Sequence, residues 1–211
     1  MRLISRLTLR TKLLLLLTLF ALGLAASTAA GVTVMHQRML ADRIDKIAAI
    51  ATVFKGFAGS IEAEAASGRI PREEAMTRFR KALYGVRFGG PDDYMLAQTD
   101  EGIVAMHGGD AKREGKPTAS RDAAGRTSAE LIAQEIGAGE QGVIRYLALR
   151  PGGSVPVEKT SYVVRFRPWK MNFLVGTWID DVEAAYRASW LRLAQIGAGI
   201  QIGRASCRER V

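Results

Sequence analysis

Residues 13–34, LLLLLTLFALGLAASTAAGVTV, carry no charge over 22 consecutive positions, and nothing else in the sequence restricts its fold as sharply. A helix rising about 1.5 Å per residue lets such a segment cross the roughly 30 Å hydrocarbon core of a bilayer. Arg2, Arg6, Arg10 and Lys12 precede it, and no acid occurs before Asp42. That asymmetry is expected to hold residues 1–12 in the cytoplasm and send the chain after residue 34 outside. A cleaved signal peptide shares the basic start and apolar middle, and STAA resembles its small-residue cleavage region. The apolar run exceeds the usual length of about 7–15, so the segment reads as an anchor.

A second apolar stretch, WLRLAQIGAGI at residues 190–200, suits the start of a returning membrane helix with Tyr186 and Trp190 at its interface. A peripheral amphipathic helix is the alternative. Residues 202–211, IGRASCRERV, are what ATC GGA AGA GCG TCG TGT AGG GAA AGA GTG encodes, which matches a common sequencing adapter read in frame. They are set aside as a non-native tail, leaving the returning helix truncated at residues 189–201. Cys207, the one cysteine, falls in that tail. Without it a disulfide framework and a cysteine-ligated zinc site are excluded.

The formal charge of +9 overstates the basic character of the remainder. The tail contributes +2 and the four residues before the anchor +4, leaving about +3 for everything else. That is too little for a nucleic-acid footprint, which clusters Lys and Arg on one face. No metal set, phosphate-cradling glycine loop or nucleophile motif occurs, so neither cofactor nor catalytic residue is expected. Asp180 and Asp181 read as caps of the returning helix.

Residues 35–188 are expected to form one external domain. Leu40, Ile44, Ile47, Ala51, Phe54, Ala58 and Ile61 recur at helical spacing, giving a long amphipathic helix that ends at Gly68. Pro71, Glu73 and Glu74 start a second helix, closed by the glycines at 89 and 90. DYMLAQ, GIVAMH, GVIRYLAL, EKTSYVVRFR and FLVGTWI read as five strands, with a polar loop and a short helix near residues 127–137 between the second and third. The pattern gives an α+β domain on an antiparallel sheet.

The runs DYMLAQTDEGIVAMHGG, EGK, GVIRY, RPGGSVPVEKTSYVVRFRPW and VGTWIDDV, in that order, resemble the single Cache sensory domain of bacterial methyl-accepting chemotaxis proteins over about residues 36–186. The resemblance implies a PAS-like sheet of five to six strands behind a long N-terminal helix, flanked by transmembrane helices. It further implies an extracytoplasmic sensor in the bacterial inner membrane that binds a two- or three-carbon carboxylate. Its expected partners are a second copy, through the long helix, and downstream signalling proteins reached through the missing cytoplasmic part. A histidine kinase or a cyclic-dinucleotide synthase is the alternative output. Tyr94, His107, Tyr146, Lys159, Ser161 and Tyr162 are the implied ligand contacts, as hydroxyl, imidazole and ammonium donors. Strand alternation places Lys159 and Ser161 on one face and Tyr162 on the other, so bringing all three together would need a bulge. Departures from the family's usual residues at Gly108 and Ala148, and a shorter segment between Gly176 and Asp180, bear on the ligand.

Overall fold

The computed structural model describes residues 8–208 except Pro91, with side chains described only as far as residue 195. One helix, α1, spans Leu9–Ala66. Its apolar first part holds a window of mean hydropathy 2.2 in which no residue is buried, long and apolar enough to cross a membrane. Its last part buries Ile47, Ala51, Phe54, Ala58 and Ile61, the periodic set. Gly68 ends this segment at φ +77°, where a side chain would be strained.

Helix α2, Arg72–Gly85, starts directly after Pro71, whose missing N–H costs nothing at that point. It stops before the expected glycines 89 and 90. Val86 turns extended, and Arg87 folds back onto the carbonyls of Tyr84 and Val86, capping the helix end early.

The five strands are β1 (Met95–Thr99), β2 (Val104–His107), β3 (Gln141–Leu149), β4 (Pro156–Phe166) and β5 (Met171–Trp178). They form one antiparallel sheet in the order β2-β1-β5-β4-β3. A short helix, α3 (Ser128–Leu131), opens with a capping box between Thr127 and Glu130 and runs on as a π turn to Ile136. Helix α4 is Asp180–Arg208. The two acids at its start are engaged by arginines: Arg150 donates to Asp180 at 2.7 Å, and Arg43 pairs with Asp181. Residues 40–181 form one compact unit. In the other, made of the described residues up to Met39 and from Val182, His36 meets Glu183 at 2.9 Å and stacks on Tyr186 at 4.2 Å.

The sheet has two unlike faces. One packs against α1 and α2 through a continuous apolar cluster that includes Met95, Val164, Phe166, Phe173 and Val175. At its centre Phe79 is fully buried, stacked on Phe173 at 5.0 Å and edge-on to Trp169 at 5.2 Å. Glu62 is buried beside them, accepting from Trp169 Nε1 and Arg72 Nη2, each at 2.6 Å. Those two bonds, Arg72's first, hold its carboxyl below the usual range. The other face carries a smaller cluster including Leu131, Ile144, Tyr146, Val163, Leu174 and Trp178.

Truncating Phe79→Ala in residues 35–188 is expected to cost about 3–5 kcal/mol by denaturant unfolding. Glu62→Ala is expected to cost about 1–3 kcal/mol, because it strands the indole N–H. The Glu62 contribution is present above the carboxyl's unfolded pKa and disappears as pH falls through its lower folded value. Wild-type and Glu62→Ala stabilities should therefore converge on acidification, and a constant gap would refute that assignment.

Candidate functional site

Alternation along β4 turns Lys159 and Ser161 to the same side as Tyr146 of β3 and Trp178 of β5. Ser161 lies opposite Gly176, and a Cβ at Gly176 would lie 2.5 Å from Lys159 Cε. The bare backbone at 176 is therefore what gives the lysine stem room to lie flat across the sheet. Lys159 is only 2% exposed. Its Nζ sits 3.8 Å from the centre of the Tyr94 ring and 4.6 Å from that of Trp178. Among the described residues the ammonium meets aromatic faces and no hydrogen-bond acceptor. Burial pulls its pKa from 10.5 to about 7, with the Asp93 carboxylate partly opposing and the Arg113 guanidinium adding to the depression.

Tyr94 is held from above by the backbone after β2, where a Cβ on Gly109 would approach its ring to 2.7 Å. His107 lies 4.6 Å from the same ring. Its Nδ1 accepts from the main-chain N–H of Asp110 at 2.8 Å and of Gly109 at 3.2 Å, so the ring proton belongs on Nε2. Burial, then the cations of Arg113 and Lys159, lowers its pKa to about 4, which keeps it neutral with Nε2–H as a donor. The Tyr146 hydroxyl and Ser161 Oγ share a hydrogen bond of 2.7 Å, and burial pushes the phenol's pKa up.

Over this face lies a cavity of about 250 Å³, lined by Tyr94, His107 and Tyr146 below and by Arg113, Lys116 and residues 117–120 above. The cover is the polar stretch between β2 and α3, and it crosses the full width of the sheet. Backbone bonds pin it at both edges: Val104 N–H to Lys116 O at 2.9 Å and Gly115 N–H to Val104 O at 2.8 Å on β2, and Leu147 N–H to Arg121 O at 2.8 Å on β3. A second cavity, about 310 Å³, lies on the helix side among Asp42, Arg43, Lys46 and Asp93, where opposite charges offset one another.

Of the six residues expected from sequence, three line the cover-side cavity directly: Tyr94, His107 and Tyr146. Lys159 and Ser161 lie one layer beneath, against Tyr94 and Tyr146. Tyr162 is not brought to them. It stands opposite Val175 and packs into the cluster under α1 and α2, because β4 runs without a bulge against either neighbour and alternation holds. Arg113, Lys116 and Trp178 are not among the ligand contacts expected from sequence, and Gly176 is marked there only as the start of a shortened segment. Arg113 and Lys116 sit in a loop with no periodicity to place them, and only the run AKREGK marked a concentration of cations.

The family described as Single Cache domain 2 matches residues 41–190. The chain is 28% identical over 138 residues to the methyl-accepting chemotaxis protein McpP of Pseudomonas putida, covering 65% of this chain and about a quarter of that protein's length, 25%. Among solved structures, it is similar to a periplasmic sensor domain of a chemotaxis protein, with TM-score 0.62 and 29% identity over 67% of this chain and 99% of that one. It is also similar to a Cache chemosensory domain described for carboxylic acid recognition, with TM-score 0.61 and 25% identity over 68% and 98%. A methyl-accepting chemotaxis protein from Vibrio parahaemolyticus, at 20% identity and TM-score 0.58 over 72% and 98%, shares the fold.

The buried lysine carries a stability signature. Between about pH 7 and 10.5 the unfolded chain binds a proton at Lys159 that the folded one does not, so the residue's contribution to stability rises with pH across that window. Below it the fold holds a desolvated cation. Lys159→Met is therefore expected to melt above wild type at pH 6, with the difference shrinking toward pH 10. Parallel melting curves across this range would contradict the depressed value.

Proposed function

Since the chain belongs to the Single Cache domain 2 family, we propose that residues 35–188 are the extracytoplasmic, non-enzymatic sensory domain of a bacterial chemoreceptor and bind a small organic acid by its carboxylate. The observation that carries this reading is a buried cation that meets no hydrogen-bond acceptor among the described residues. Lys159 lies against the Tyr94 ring, His107 sits beside that ring with Nε2–H as a donor, and the Tyr146 and Ser161 hydroxyls share the same face of the sheet. Leaving such a cation desolvated and unpaired is unfavourable, and an arriving carboxylate replaces the missing water. Tyr94 covers Lys159, so its ring turns aside as the acid reaches the ammonium. The carboxylic acid recognition described for a solved relative at 25% identity supports the same ligand class.

In this reading residues 13–34 anchor the chain in the cytoplasmic membrane, residues 1–12 stay inside and residues 189–201 begin the return. Signal leaves through Trp178. Its ring touches Lys159, its carbonyl accepts from Arg43 of α1 at 3.0 Å, and Arg150, 4.6 Å from the ring centre, donates to Asp180 at the start of α4. A ligand preferring one arrangement of Lys159 and Trp178 shifts the strand that runs into α4. Exposed Val53 and Phe57 on α1 support pairing with a second copy.

The test is a thermal-unfolding screen of residues 35–188 against acetate, propionate, lactate, pyruvate and succinate. A ligand at 100 times its Kd is expected to stabilise by about 2.7 kcal/mol. The shift should vanish in Lys159→Met. Because binding needs the charged amine, affinity is expected to fall about tenfold per pH unit above the free-state pKa of about 7 and to level off below it. No shift with any acid in a folded domain would refute carboxylate sensing.

A further inference from the structure

The cavity is larger and more cationic than one short monocarboxylate requires. Its volume of about 250 Å³ is many times the roughly 10–15 Å³ that one water needs. Acetate or propionate would leave much of that to solvent, whereas a four-carbon diacid, with eight heavy atoms, fits within it and fills more of it. No Asp or Glu lines the cavity, while Arg113 and Lys116 face it from the cover and Lys159 lies beneath Tyr94 on the sheet side.

Asp93 acts on Lys159 from the helix side of the sheet, and the two acids beside Arg113 have partners of their own. Glu114 accepts from the main-chain N–H of His107 at 2.8 Å and from the Tyr84 hydroxyl at 2.5 Å, and lies 3.5 Å from Arg80. Asp110 accepts from the Lys112 N–H at 3.1 Å and meets Arg113 only at 3.5 Å, through Nε. The Arg113 guanidinium therefore keeps donors free for an acceptor in the cavity. A single carboxylate at the sheet side would leave it unanswered.

Resting on the carboxylate reading above, we infer that the ligand is a short dicarboxylate: one carboxylate held from the sheet side by Lys159, His107 and the hydroxyls, the other from the cover by Arg113 with Lys116. Arg113 is then the residue that selects diacids over monoacids, and the diacid ties the cover to the sheet.

Calorimetric titration of the full chain in lipid nanodiscs, at pH 7, with malonate, succinate, glutarate, propionate and acetate tests this. Succinate is expected to bind at least about tenfold tighter than propionate, the factor of one added charge-assisted contact. Arg113→Gln should remove about that factor for succinate and leave propionate within about twofold, and Lys116→Ala should act in the same direction more weakly. Arg113 is a partly exposed residue at the end of a single 3-10 turn, Ala111–Arg113, so far-ultraviolet circular dichroism of the variant should match wild type. Propionate binding as tightly as succinate overturns the inference and leaves carboxylate sensing standing. So does an equal loss of both acids in folded Arg113→Gln. Failure of every acid to bind overturns both.

Discussion

Lys159 places a buried ammonium at the middle of the sheet, and among the described residues it meets no hydrogen-bond acceptor. Taking a cation out of water is costly, and proteins usually offset that with a carboxylate in contact. Here the described contacts of Lys159 are two aromatic faces, which recover only part of the lost hydration. Several surrounding features follow from keeping it in place. Position 176 carries no side chain, Tyr94 is pressed down by the backbone at Gly109, and Trp178 sits opposite Lys159 in the β4–β5 register.

Glu62 shows the contrast within the same fold. It too is a buried charge, but the Trp169 N–H and Arg72 satisfy it, and its pKa moves down toward permanent ionisation. Lys159 moves the other way, to where its charge is poised near neutrality. One group is satisfied by folding, while the other meets only aromatic faces among the described residues, and the proposed binding role rests on that difference.

The two faces of the sheet divide the labour. On the helix side, stacked and edge-on rings around Phe79 make a packed frame with little freedom. On the other side, a long loop bridges the sheet from β2 to β3 and is held at its edges by backbone bonds, with a solvent-sized space beneath its middle. Trp178 belongs to the cavity side yet is bonded through its carbonyl to α1, and its strand runs directly into α4. Trp178 therefore lies beside Lys159, bonded to α1 and two residues before the start of α4.

Much of the fold is legible from local pattern. The periodic apolar set of α1 is the set that is buried, Gly68 and Pro71 mark the stop and start, and all five strands lie where alternation and turn residues put them. These features follow from backbone geometry acting over a few residues, so the sequence alone determines them, and alternation even separated Tyr162 from Lys159 and Ser161. Helix α2 ended early through one arginine folding back on carbonyls, a choice between competing caps that composition does not rank. What only the tertiary structure decided is the company each polar residue keeps. Arg113 and Lys116 reach the cavity because strands far apart in the chain hold their loop across the sheet, and Lys159 loses its water because Tyr94 and Trp178, 84 positions apart, close over it. Long-range pairing fixes desolvation, and desolvation is what lowers the pKa of this strand lysine to about 7.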